Sequence, residues 1–268
     1  MSTNAPVSPE PAATHGLTLI LPGRVVPAGN GWDWITGGWR IFTRAPLMWI
    51  ISMIIVFVCF VAVSLVPFLG HIASALLQPV ILAGFVVVSH SLDGGGEFEM
   101  DDLLAGFKKN FGNLVVVGLL FLLGEIVIIL IFLAFVLISV GSAILAAGTE
   151  EIVHVLMASI PVVMLAGLIM LALLIPLVAA YWFAPALVVM HDVQPMDAMK
   201  ASFSACMRNF VPFLVYSIIL LLLGILAAIP FGLGYLVLIP MTIAGVYVSY
   251  RDIFTEEPAA APAKPTFA

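Results

Sequence analysis

Ala45–Leu92 reads APLMWIISMIIVFVCFVAVSLVPFLGHIASALLQPVILAGFVVVSHSL, without one Asp, Glu, Lys or Arg. A helix needs about 20 apolar residues to cross the hydrocarbon core of a bilayer, so this run holds two spans. Pro67-Phe68-Leu69-Gly70 supplies a turn in its middle, and the stretch reads as a helical hairpin. The rest of the chain agrees. Hydrophobic residues make up 63% of the 268 positions and charged residues 9%, against about 45–50% and about 25% in water-soluble domains. No soluble fold hides that much apolar surface, so lipid is the solvent. The net charge of −6 would weigh against nucleic acid on a soluble surface and matters less in a membrane chain; nucleic acid is not expected as a partner.

Working outward, Asn209–Tyr250 repeats the design, with Pro230-Phe231-Gly232-Leu233-Gly234 at its centre. The two middle blocks are harder to divide. Asn110–Thr149 contains one charge, Glu125, and Ile152–His191 contains none. One span in each gives six, with Glu150-Glu151 on the far side; two in each gives eight, with that pair on the near side. Six needs fewer unmarked turns, because Pro161, Pro176 and Pro185 can kink a membrane helix without ending it. The expected fold is an all-α polytopic bundle with spans at about 46–66, 71–92, 112–138, 158–190, 211–229 and 232–250. All nine Lys and Arg then fall on one side, which the positive-inside rule makes cytoplasmic, with both termini there.

Three segments on that side are amphipathic, at about 31–44, 99–110 and 195–208. Trp32, Ile35, Trp39 and Phe42 share a helical face in the first. Met100, Leu103, Leu104, Phe107 and Phe111 do so in the second, and Met196, Met199, Phe203 and Met207 in the third. These are the spacings of an apolar stripe, suited to the headgroup plane. Trp32, Trp34, Trp39 and Trp49 are the expected interfacial anchors, since Trp favours that depth. Each segment precedes a hairpin, so the chain reads as three parallel units. Lys109-Asn110-Phe111 rhymes with Arg208-Asn209-Phe210, and Pro79…Ala83-Gly84 with Pro240…Ala244-Gly245. Residues 1–29 are Pro-rich, carry no signal-peptide h-region and read as a disordered arm; 255–268 read as a disordered tail.

Gly31-Trp32-Asp33-Trp34, Gly38-Trp39-Arg40-Ile41-Phe42, Pro67-Phe68-Leu69-Gly70, Leu104-Ala105-Gly106-Phe107 and Phe183-Ala184-Pro185-Ala186-Leu187-Val188 carry a resemblance. So does the later Pro212-Phe213-Leu214-Val215-Tyr216. Together they resemble a group of proteobacterial multi-pass inner-membrane proteins without an assigned function, from about Gly31 to Arg251. The layout is also distantly similar to the membrane domains that accompany some glycerophosphodiester phosphodiesterases, though nothing matches their catalytic part. The resemblance implies a bacterial inner membrane and a layout. It supplies no catalytic residue.

Among residues that carry chemistry, Glu125 stands out. A charge at the bilayer centre costs about 3 kcal/mol on insertion scales. The Leu, Ile, Val and Phe around it return more, about 5–10 kcal/mol. The helix therefore inserts, and the carboxyl should face protein or water. It reads either as a proton-relay or cation-binding group or as a packing hydrogen bond. His90 near Asp93 and His191 near Asp192 match no metal signature, and no metal or cofactor is expected. Asp93-Gly94-Gly95-Gly96-Glu97 lacks the Gly-Lys-Ser/Thr ending of a phosphate loop and reads as a flexible turn. Cys59 and Cys206 are expected to be reduced and apart. Gly224 with Ala228, and Gly245 with Ser249, read as sites of close helix packing. No nucleophile–base pair is present. The expected role is therefore non-enzymatic, exercised through membrane lipids, a membrane-protein partner or a second copy. The alternative is a small-solute or ion transporter or channel using Glu125.

Overall fold

The computed structural model describes residues 17–147 and 152–256. The first helix, α1 (Asn30–Phe42), precedes a hairpin of α2 (Pro46–Ser64) and α3 (Leu69–Asp93). Two single turns follow, α4 (Met100–Leu103) and α5 (Ala105–Lys108). Then α6 (Phe111–Val136) runs through a wider π-type turn at Leu137–Gly141 into α7 (Ser142–Ala147). It is answered by α8 (Ile152–Trp182) and α9 (Ala184–His191). The last unit is α10 (Pro195–Arg208), α11 (Phe210–Ala228) and α12 (Tyr235–Phe254). Strand β1 (Thr18–Leu19) pairs antiparallel with β2 (Thr255–Glu256).

Six helices are long and apolar enough to cross a membrane, and each middle block is one span. Pro161 and Pro176 lie inside α8 without ending it, because neighbouring groups can re-satisfy the backbone a proline frees. At 31 residues and 1.5 Å per residue, α8 is about 46 Å long, well beyond a hydrocarbon core of about 30 Å. The first and last hairpins turn alike: Phe68 and Phe231 both have positive φ and both project outward.

The even-numbered spans make the centre. Buried residues cluster in Pro79–Leu92 of α3, in Phe183–Val189, and in Pro240–Phe254 of α12. All three stretches lie at the end that carries the Lys and Arg, here called the basic end. The odd-numbered spans α2, α6 and α11 flank this core and present broad Leu, Ile, Val and Phe faces outward. Lipid tails are as apolar as those side chains, so helix association rests on close packing and hydrogen bonds.

The three basic-end segments supply that packing, each on the even span that precedes it. The pair α4–α5 docks on α3, α10 on α8 and α9, and α1 closes the ring on α12. Small residues make the contacts. A Cβ added to Gly38 would lie 2.5 Å from the Met241 carbonyl and 2.9 Å from the Gly245 nitrogen. One added to Gly106 would run into the Val80 carbonyl, and one at Gly84 into that of Leu103. Pro79…Gly84 and Pro240…Gly245 thus do the same work: each glycine admits a docked segment. On the fourth span Ser202 takes that place by hydrogen bonding, with Ala198, Ala205 and Cys206 buried around it.

The apolar stripes divide: Trp32, Trp39, Met100, Leu104, Phe107, Met196, Phe203 and Met207 are exposed, while Ile35, Phe42 and Met199 are buried. Three expectations need correcting. Trp34 and Trp49 are not interfacial anchors, being 1% and 0% exposed. Trp49 stacks on Phe85, and Trp34 packs against Phe213 and Tyr216. The second segment is two separate turns rather than one helix over 99–110.

Finally, residues 17–29 are ordered. The Ile20 and Arg24 amides donate to the carbonyls of Phe254 and Ile253, at 2.8 and 2.9 Å. Asn209 accepts from the Val26 amide at 2.8 Å and donates to the Arg24 carbonyl at 3.0 Å. Backbone bonds tie this arm down, and Thr255 and Glu256 belong to the same strap. The remaining arm (1–16) and tail (257–268), and Glu150 and Glu151, lie outside the described residues.

Candidate functional site

Glu125 sits midway along α6, half-buried, and faces α3 across a recess. Across it, α3 presents His71, Ser74 and Gln78, at i, i+3 and i+7 and therefore on one face. Phe60 and Phe121 complete the walls of this cavity of about 290 Å³. Among the described residues Glu125 has no hydrogen bond and no ion pair. Tyr181 of α8 lies within electrostatic range of it. The Tyr181 ring packs on Phe121 at 4.7 Å, and its buried hydroxyl has no partner among the described residues. The polar row on α3 escaped the sequence reading, although its spacing in an otherwise apolar span was a usable signal.

Beside this recess runs an apolar groove of about 540 Å³ between α2, α3 and α12. Phe57, Ile81, Leu236 and Ile239 line it, and Phe60 and Gln78 border both spaces.

The basic end holds a second, denser polar network. Asp93 closes α3 with its side chain only 6% exposed and pairs with Arg40 of α1 at 3.2 Å and with Arg251 of α12. One carboxylate thus joins three helices. His90 Nδ1 is 3.0 Å from the Tyr247 hydroxyl, and the His191 ring lies 6.1 Å from that of Tyr250. Asp252 accepts from Asn30 at 2.8 Å and Trp34 at 2.9 Å, and pairs with Arg24 at 3.5 Å. Asn110 donates to the Val188 carbonyl at 3.1 Å and to Asp192. Asn110 and Asn209, the rhyming asparagines, thus each tie the start of an odd-numbered span to a neighbouring segment.

This network is structural in character. Arg24, Arg40 and Arg251 are each paired with a carboxylate, which leaves little positive charge for an anion. No group of three or more His, Cys, Asp or Glu among the described residues is placed to hold a metal. Burial pushes the Cys206 thiol up to about 12, so it is no nucleophile near neutral pH. Cys59 and Cys206 are both free. The recess at Glu125 differs: its carboxyl has no ion pair among the described residues, and no Lys or Arg lines it. It can receive a hydrogen-bond donor or a cation.

No solved structure matches the chain. A protein of Burkholderia thailandensis described as a probable inner membrane protein is 30% identical over 263 residues, covering 90% of this chain and 96% of the relative. The model of a family described as protein of unknown function (DUF975) matches residues 39–257, from the end of α1 through the whole bundle, so the chain is a multi-pass membrane protein that belongs to the DUF975 family.

Proposed function

We propose that this is a non-enzymatic protein of the bacterial inner membrane that acts through contacts with lipid or with another membrane protein, with its basic end and both termini in the cytoplasm. The observation that carries the reading is the outward turn of large side chains in the three basic-end stripes. Trp32, Trp39, Phe107, Phe203 and Met207 stand exposed beside Arg44, Lys108 and Lys200, at the depth where aromatic rings and cationic side chains meet headgroups. The relative's inner-membrane description supports the location.

Gene deletion followed by lipid and metabolite profiling tests the role. Altered membrane lipid composition with normal solute uptake is expected; the reverse pattern overturns the reading. Reporter fusions after Gly94 and Gln194 should score cytoplasmic, and a fusion after Gly148 external.

A second reading, transport of a small solute or ion, is favoured by the recess at Glu125. It requires an opening at the basic end, where Tyr247, Tyr250, Phe183 and Phe254 pack with 1% exposure or less.

A further inference from the structure

We infer that the recess at Glu125 and the groove beside it form one binding site for an amphiphile bearing a protonated amine head and a single apolar chain. The proposal deepens the membrane-contact reading and rests on it. The two spaces adjoin, with Phe60 and Gln78 bordering both. One carries the polar side chains of Glu125, Gln78, Ser74 and His71; the other is almost wholly apolar, with Phe57, Ile81, Leu236 and Ile239. A ligand that fills both must be apolar at one end and polar at the other. Their volumes, about 290 and about 540 Å³, fall in the range of small-molecule sites.

Charge decides the head group. The recess holds a carboxyl without an ion pair and is lined by no Lys or Arg. An ammonium supplies the missing positive charge and donates hydrogen bonds to Glu125 and the Gln78 side-chain oxygen. A phosphate or carboxylate head would meet Glu125 uncompensated, in a setting where charge is costly. His71 lies at the start of α3, at the end opposite the basic end, so the head enters from that side and the chain lies between α2 and α12. This is a specific site, unlike the general lipid contact around the bundle.

The test uses the full-length protein in phosphatidylcholine nanodiscs and a twelve-carbon alkylamine carrying a diazirine on its tail. Saturable photolabelling is expected on peptides containing Phe57 or Ile239. Dodecylamine should compete; dodecanol (tail without charge) and butylamine (charge without tail) should not. Glu125→Gln should weaken competition by dodecylamine about tenfold or more, the loss of one charge-assisted bond. Ile239→Trp, which fills the groove while keeping the carboxyl, should weaken it too. Should Glu125→Gln not fold, Ile239→Trp and Gln78→Leu carry the test. Equal competition by dodecanol overturns the head-group assignment, and equal competition by butylamine reduces the site to a free-cation site and overturns the amphiphile. Phospholipids retained in native mass spectrometry without amine selectivity would remove this inference and leave the membrane-contact reading standing.

Discussion

Ser202→Ala isolates what holds the fourth span in its broken form. An unbroken helix would carry a bond from the Phe183 amide to the Ala179 carbonyl. Instead the Ser202 hydroxyl stands between them, accepting from the Phe183 amide at 2.9 Å and donating to the Ala179 carbonyl at 2.6 Å. A side chain inserted into the ladder is a recognised cause of a helix kink. Pro185 adds to the break, because its ring opposes a regular turn back to residue 181. Ser202 is 0% exposed, so alanine strands the Phe183 amide away from water and leaves the Ala179 carbonyl only the weak bond from the Cys206 thiol at 3.5 Å. Each buried, unsatisfied group costs about 1–3 kcal/mol. Side-chain bonds in membrane proteins measure lower, about 0.6 kcal/mol on average, because the unfolded chain in lipid also finds partners.

One amide loses its partner, one carbonyl keeps only a weak thiol donor, and Pro185 hinders re-closure, so the net destabilisation should be about 1–2 kcal/mol. Reversible SDS unfolding in bicelles reads the free energy, and hydrogen exchange at the Phe183 amide reads the local opening. Ser204→Ala is the control, since Ser204 forms no hydrogen bond among the described residues. A change under about 0.5 kcal/mol, within the scatter of neutral surface substitutions, with unaltered Phe183 exchange would refute the reasoning.

Asp93→Asn removes the charge that joins α1, α3 and α12. Arg40 and Arg251 are partly exposed, at 58% and 37%, so the loss should be nearer about 1–2 kcal/mol than the larger cost of a fully buried pair, read by the same unfolding assay. Gly38→Leu should lift α1 from α12 and destabilise by about 1–3 kcal/mol through overpacking, exposing the arm at 17–29 to limited proteolysis. Gly112→Ala, where an added Cβ meets nothing within 4 Å, should leave both readouts unchanged. In a Cys59→Ser background, Cys206 should resist maleimide at pH 8, since a thiol pushed up to about 12 stays protonated there; labelling should appear only after SDS unfolding.

The spans were legible because a helix in lipid must satisfy its own backbone, so an apolar run of the right length has few alternatives. Glu125 was legible for the same reason: a lone charge in such a run has to face something other than lipid. The segment faces were half legible. Periodicity located the stripes, but not that Ile35, Phe42 and Met199 turn inward while Trp32, Phe107 and Phe203 face outward. Here lipid receives the outward ones, and Gly38, Gly106 and Ser202 take inner positions too. The arm at 17–29 was hidden because backbone bonds to Ile253 and Phe254 hold it, and such bonds leave no mark on composition. Ser74 and Gln78 were passed over because neither carries a fixed charge, although their spacing from His71 puts all three on one face of α3.

The repeat also accounts for where space remains in the molecule. Many of the devices that draw helices together lie at the basic end: the glycine contacts of α1 and α5, the Ser202 insertion, the Asp93 pairs and the strap of β1 on β2. Farther along the spans the close contacts are those of Gly118 on Ala75, Gly70 on Val63 and Gly234 on Ala227. These are fewer, and lipid gives apolar side chains no reason to close up. Gaps between α2, α3, α6 and α12 follow directly, and the polar row of α3 and Glu125 fall beside one of them. The amphiphile site inferred above therefore lies toward the end of the bundle opposite the basic end.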